Sequence, residues 1–392
     1  MASRDTTEIG DNRPPVYELD ADQQLILDQA DRFARNELYP LAPRMDAEEW
    51  WPEHAFPEIG KQGLFGATVP PEYGGAGMDL LAAGLVVQGF GRWNHAMALS
   101  CVAHDNLCLN NIYRNGNETQ RRKYLPDLCA GRKIGALGLT EPGAGSDALG
   151  SMRTTARRDG DHFIVNGSKT FITSGMRADF ITLAVRTGAP GASGVSLLLI
   201  EGQPEGLQRT SLKKMGWWCS DTATLYFENV RVPAENLIGK EGEGFRAIML
   251  NFNDERLHGA AGAISAARVC LEEAIAYAKQ RETFGKPLVQ HQVIRHKLVD
   301  MAQRIEASQA MLELLTWRLE QGENPVAEIC MLKNQATTTM AYCASEGVQI
   351  FGGAGFLRGA KVERIYREVK VNAIVAGTEE IMKDLASRQM GL

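Results

Sequence analysis

One acid in this sequence stands where a solvated charge is not expected. Glu255 lies within Asn253-Asp254-Glu255-Arg256-Leu257, inside a long stretch of helical periodicity. At about 100° per residue, Ile248, Phe252, Gly259, Gly262 and Ala266 share its side of that helix. The wedge is apolar beside the acid and made of very small residues beyond it, which lets a ligand approach the helix. Burial raises a carboxylate's pKa and makes it a better base near neutrality. The competing reading is a glutamate paired with an arginine inside a bundle, since structural ion pairs also perturb acids.

Glycine-rich segments are the next candidates. Gly143-Ala144-Gly145-Ser146-Asp147-Ala148 fits the loose dinucleotide pattern G-x-G-x-x-A and follows the apolar run 134–139. That pattern needs a helix directly afterwards, whose N-terminus holds a pyrophosphate. Gly150-Ser151-Met152 and strand-like residues follow instead, so a Rossmann reading is rejected. The glycines either bring backbone N–H groups to a phosphate or flavin, or form an ordinary turn. Phe351-Gly352-Gly353-Ala354-Gly355-Phe356 is a second such break, suited to a phosphate contact or a tight corner. The histidines are scattered, and His291 and His296 do not share a helical face. No His/Cys/Asp/Glu group has metal-ligand spacing, and no Gly-x-Ser-x-Gly elbow or Walker loop occurs.

Three regions must position these residues. Residues 1–130 are expected to form a helical domain, with apolar positions three and four apart, as in Leu25, Leu27, Ala30, Phe33 and Leu38. Residues 131–243 alternate short Val/Ile/Phe/Thr runs with turn dipeptides. A strand at 162–165 is bracketed by Asp159-Gly160 and Asn166-Gly167, a strong hairpin signal. Further strands are expected at 171–173, 180–186, 195–201 and 223–227. Without helical crossovers, the reading is an antiparallel β-barrel or sandwich. Residues 244–392 return to helical periodicity, with helices expected at 244–281, 289–321, 326–350 and from about 378. Helices of that length pack as a four-helix bundle. The fold class is therefore α+β, helical at both ends with a β-domain between.

Composition narrows the function. The chain has 392 residues, 44% hydrophobic and 23% charged, and a net charge of −6, which offers no overall basic field for nucleic acid. Its 7 cysteines form no Cys-x-x-Cys and read as reduced core thiols. Residues 1–15 are polar and acidic, unlike a secretory signal or transit peptide. No apolar run approaches the roughly 20 residues of a membrane span. A cytoplasmic protein is expected.

Five segments together resemble the acyl-CoA dehydrogenase family over nearly the whole chain. They are Leu139-Thr140-Glu141-Pro142-Gly143-Ala144-Gly145-Ser146-Asp147, Asn166-Gly167-Ser168-Lys169-Thr170-Phe171-Ile172-Thr173, Arg281-Glu282-Thr283-Phe284-Gly285-Lys286, Gln349-Ile350-Phe351-Gly352-Gly353 and Ala376-Gly377-Thr378-Glu379-Glu380-Ile381. The resemblance implies an FAD between the β-domain and the C-terminal bundle. Leu139, Thr140 and Ser146 match positions lining the flavin, with Ser146 also near the CoA pyrophosphate. Thr173 matches a residue at the flavin edge, and Phe171 stands where many members place a tryptophan against the flavin face. Arg281, Phe284, Gln292, Gln349, Gly352 and Gly353 match positions that hold the FAD adenine and pyrophosphate across a subunit interface. Thr378 and Glu380 match cofactor contacts at the start of the last helix, although Glu380 is often glutamine in the family.

The informative departure concerns the base. Many members carry a catalytic glutamate immediately before the Gly-Thr pair, where this chain has Ala376. The isovaleryl-CoA and long-chain branches place it instead on the long helix, at the position of Glu255. The resemblance thus implies α,β-dehydrogenation of an acyl-CoA, with Glu255 taking the α-proton and FAD N5 the hydride. The Ala376 backbone N–H would serve as a donor to the thioester carbonyl. Phe252, Asn253, Arg256, Gly377 and Ser146 are the implied substrate contacts. The segment 103–108 resembles the isovaleryl-CoA branch, whereas 380–383 is closer to the long-chain branch. The substrate is left as a branched short-chain or a medium-to-long acyl-CoA. An electron-transferring flavoprotein as acceptor and a homotetramer arranged as a dimer of dimers are also implied. The alternatives are an acyl-CoA oxidase, a desulfinase-like relative, or a non-catalytic assembly protein on the same fold.

Overall fold

A computed structural model describes residues 19–148 and 150–392; the polar segment 1–15 lies outside them. The chain begins with helices, each opened by a local signal. Asp20 caps α1 (Ala21–Phe33) in a reciprocal capping box with Gln23. After α2 (Ala42–Glu48) and α3 (Ala55–Lys61), Asp79 caps α4 (Leu80–Trp93) and Asn94 caps α5 (His95–His104). A π-helical turn at Asp105–Leu109 leads into α6 (Asn110–Asn115), and α7 (Glu118–Cys129) closes the region.

The middle of the chain forms one sheet. Its strands are β1 (Gly135–Gly138), β2 (Thr155–Asp159), β3 (His162–Thr173), β4 (Phe180–Arg186), β5 (Val195–Glu201), β6 (Leu207–Ser211), β7 (Thr222–Pro233) and β8 (Leu237–Ile238). They pair in the order β6-β7-β3-β2-β4-β5-β8, with β1 also on β4. The sheet is mixed rather than wholly antiparallel, because β1 and the start of β2 run parallel to β4. The Asp159-Gly160 hairpin forms as the dipeptide predicts, with Asp159 opposite His162. Asn166-Gly167 does not end a strand. β3 runs through it to Thr173 and absorbs two bulges, one at Val165/Gly167 and one at Lys169/Ile172. Gly167 has φ 144°, and a Cβ there would sit 2.6 Å from the Thr154 Cα, so the bulge requires glycine. The glycine is a turn signal in sequence, and its partner strand is visible only in three dimensions.

The C-terminal region is helical. It contains α8 (Gly244–Gln280), a short β9/β10 hairpin (Glu282–Thr283, Lys286–Pro287), α9 (Gln292–Glu320) and α10 (Val326–Phe351), then α11 (Lys361–Asn372) and α12 (Glu379–Gln389). α11 is an addition to the expected set. It is mostly polar, and Val362, Ile365 and Val369 form a narrow buried stripe at helical spacing. The centre of α8 is almost entirely small residues, and Ala260, Ala261, Ala263, Ala266 and Ala267 are fully buried. This lets α4 and α10 pack closely against it. A Cβ on Gly91 of α4 would lie 3.3 Å from the Ser265 Cβ.

Candidate active site

Glu255 sits on α8 (Gly244–Gln280) about three turns from its start. The residue is half-buried, but its Oε2 is sealed from solvent and has no hydrogen-bond partner. Burial pushes the carboxyl up to about 7, against a smaller downward pull from Arg256 and Lys333. An unpaired buried acid is costly, so the ion-pair reading of this glutamate is not met. Its helical neighbours are as the periodicity predicts. Ile248 is buried, Phe252 half-buried, and Ala266 buried. A Cβ added to Gly259 would meet nothing within 4 Å, so open space lies one turn from the acid. At Gly262 the wall closes, with Val87 of α4 at 3.4 Å.

The turn before α12 lies against the same stretch of α8. Ala376 has φ 56° and Gly377 φ 102°, both in the left-handed region. The φ of 102° at Gly377, which side chains rarely adopt, is why this corner takes glycine. Arg256 Nε donates to the Ala376 carbonyl at 3.2 Å, and Lys333 Nζ of α10 donates to the Gly377 carbonyl at 2.8 Å. Thr378 then caps α12, its Oγ1 accepting from Ile381 N at 3.3 Å. Glu380 is exposed in the first turn. Asn253 is buried and donates to Asn324 Oδ1 at 3.1 Å, while the Arg256 guanidinium lies 5.7 Å from the Phe252 ring centre. Sequence reasoning missed Lys333. A single lysine on an amphipathic helix reads as solvated, yet it is 3% exposed between buried Leu332 and Ala336.

The segment after β1 is held from behind. Buried Lys169 donates to the Leu139 carbonyl at 3.0 Å and to Glu141 Oε1 at 2.8 Å. Glu141 also accepts from the Arg153 and Thr154 N–H groups, at 2.7 and 2.9 Å. Thr170 N donates to the Thr140 carbonyl at 2.8 Å. Leu139, Thr140 and Thr173 are half-buried, and Ser146 is exposed. At the second bulge of β3, Phe171 takes φ 58° and turns out of the sheet with 69% exposure. An outward aromatic at a bulge and a backbone loop braced from behind suit the flat face and edge of a flavin.

A second set of expected residues lies elsewhere. Arg281, Phe284, Gln292, Gln349, Gly352 and Gly353 are all exposed. Phe284 is 97% exposed, and a Cβ on either glycine would meet nothing within 4 Å. The ends of α8 and α10 are joined there by Tyr277 and Phe351, whose rings stack at 4.2 Å. Glu255 and Arg281 are 26 residues apart, about 39 Å along the helix at 1.5 Å per residue. Within one chain, these residues do not share a site with Glu255.

The chain is thus helical, β and helical in turn, with a buried, unpartnered carboxylate oxygen on α8 one turn from the open space at Gly259. Family comparison agrees with that order. The family model for the acyl-CoA dehydrogenase N-terminal domain matches residues 20–132, that for the middle domain 136–230 and that for the C-terminal domain 242–391. An acyl-CoA dehydrogenase of Bacillus subtilis is 39% identical over 360 residues, covering 91% of this chain and 95% of that protein. The structure of butyryl-CoA dehydrogenase from Megasphaera elsdenii superposes with a TM-score of 0.93 at 34% identity, covering 96% of this chain and 100% of the other. A glutaryl-CoA dehydrogenase from Mycobacterium smegmatis, solved in complex with FADH2, gives 0.90 at 29% identity, covering 95% and 96%. The chain belongs to the acyl-CoA dehydrogenase family. Among the described residues there is no cluster suited to a metal ion, and no helix is long and apolar enough to cross a membrane.

Proposed function

We propose that this protein is an FAD-dependent acyl-CoA dehydrogenase in which Glu255 removes the α-proton of the thioester. The observation that carries the reading is the Glu255 carboxylate, with a buried, unpartnered Oε2 next to the open space at Gly259. A carboxyl near 7 is half-ionised at neutral pH and holds the abstracted proton well once it arrives. FAD, when bound, accepts the β-hydride. Leu139, Thr140, Phe171 and Thr173 line its ring, with Thr378 and Glu380 at the start of α12 and Ser146 toward the CoA pyrophosphate.

The acidity of the α-carbon depends on the thioester carbonyl. N–H donors aimed at that oxygen stabilise the charge that develops there. Ala376 contributes such an N–H although it has no carboxylate, so its side chain costs the reaction nothing at this step. Asn253, Arg256, Phe252 and Gly377 contact the thioester and the CoA arm. Arg281, Phe284, Gln292, Gln349, Gly352 and Gly353 lie too far from Glu255 to serve its own site. They serve the cofactor of a second copy, which supports an oligomer, a dimer of dimers by family resemblance. The substrate is a branched short-chain or medium-to-long acyl-CoA, the electrons pass to an electron-transferring flavoprotein, and the unpaired buried cysteines suit the cytoplasm.

Anaerobic mixing with a panel of acyl-CoAs tests the base. Glu255→Gln is expected to keep FAD bound while slowing flavin bleaching by at least about a hundredfold. Bleaching at the wild-type rate in that variant removes Glu255 from the mechanism.

A further inference from the structure

Lys333 is the buried cation that the reading above leaves without a role. It stands on α10, and its ammonium reaches across to the Gly377 carbonyl at 2.8 Å. Arg256 on α8 takes the preceding carbonyl, that of Ala376, at 3.2 Å. In a planar trans peptide the C=O and N–H point in opposite directions. Holding the carbonyls of Ala376 and Gly377 therefore fixes the two peptide planes that follow the Ala376 N–H, the donor named above, and turns the N–H groups of Gly377 and Thr378 away from the two cations. Among the described residues, the N–H groups of Ala376, Gly377 and Thr378 donate to no backbone carbonyl. Ala376, which is not glycine, takes φ 56°, so the turn draws on outside contacts to keep its shape.

We propose that Lys333 is a positioning residue of this site: through its bond to the Gly377 carbonyl it fixes the turn that presents N–H groups to the bound thioester. The inference rests on Glu255 being the base. The charged or titratable groups facing Lys333 are Glu255 and Arg256 on α8 and Glu379 and Glu380 on α12, with the Cys330 thiol on its own helix. Burial lowers the Lys333 ammonium to about 8, and the acids partly offset this. Its charge is present at neutral pH and lost as pH rises through that value. Asn334, the next residue, donates to the Glu379 carbonyl at 2.9 Å, so α10 braces this turn at two successive positions.

The test uses the full-length holoprotein. The Glu255 carboxyl is followed by carbon-13 NMR from pH 5 to 9, its resonance assigned by its absence in Glu255→Gln. In Lys333→Met the Glu255 midpoint is expected to rise by about one unit, because the facing cation is gone. Lys333→Arg, which keeps the charge, is expected to return it toward wild type. Lys333→Gln keeps a donor for the Gly377 carbonyl without charge, and is expected to shift the midpoint as Lys333→Met does. Flavin bleaching at pH 7 should fall on the order of tenfold in Lys333→Met, with a smaller loss in Lys333→Gln. Flavin bleaching at the wild-type rate in Lys333→Met, or a loss in Lys333→Gln as large as that in Lys333→Met, overturns the inference. If Lys333→Met does not fold, Lys333→Ala takes its place in the same bleaching comparison with Lys333→Gln. A wild-type protein that no acyl-CoA bleaches would instead sink the proposed function.

Discussion

At the scale of a residue, the site is visible as an unfavourable term in folding. Glu255 is raised from 4.5 to about 7, so the folded state retains a proton that the unfolded chain has released. Stability therefore falls as pH rises across that window, and the full penalty is reached above about pH 7. It amounts to at most about 3 kcal/mol. Glu255→Gln keeps the shape and removes the charge. Urea unfolding is expected to show this variant more stable than wild type at pH 8, by about 1–3 kcal/mol, with the difference vanishing near pH 4. An equal or lower stability at pH 8 would mean that the carboxylate has a partner in solution. This acid was readable from sequence because α8 is long and regular, so a fixed angle per residue places it among Phe252, Gly259 and Ala266. Lys333 was not readable, since no local pattern marks which of many helical lysines faces a turn 44 residues away.

At the scale of an element, β3 shows how far local signals reach. Its hairpin to β2 follows from Asp159-Gly160, but its continuation past Gly167 depends on β7, which runs along its other edge. The second bulge sets Phe171 outward and leaves Lys169 beneath the sheet, next to Glu141. That pair is 0% and 6% exposed by side chain, and it holds the segment on which Leu139 and Thr140 sit. Removing one partner leaves the other charge buried alone. Lys169→Met is expected to cost about 3–5 kcal/mol, and Lys169→Met with Glu141→Leu to recover part of the loss, measured by denaturant titration. Additive losses in the double variant would show that the two charges act independently. The polar helix α11 was missed for a related reason. Its apolar stripe is three residues wide, and packing against α8 and α10 makes it a helix.

At the scale of the whole molecule, the three regions are tied by buried and partly buried polar contacts. Arg367 of α11 forms two bonds to Asp46 of α2, at 3.0 and 2.7 Å, and its guanidinium stacks over Trp218 at 4.2 Å. His95 at the start of α5 meets Glu368 at 3.1 Å, next to the Trp217 ring. The thiols are distributed through the same interior. All seven cysteines are free and buried, and burial pushes Cys108, Cys129, Cys219 and Cys343 up to about 12. A thiol reagent at pH 8 is expected to react with none of them rapidly in the native protein and with all seven in denaturant. Fast native labelling would indicate that one of the regions opens.

The order of helical, β and helical regions, the hairpin, and the inward acid on α8 are properties of spacing along the chain, and sequence alone determines them. Five motifs in order, by their resemblance to those of the family, were likewise enough to point to it. The close approach of the Ala376-Gly377 turn to Glu255, the lysine and arginine that hold its carbonyls, and the pKa of the acid were decided by tertiary structure. These arise from contacts between segments distant in sequence, whose energies depend on burial and on charges that no local pattern encodes.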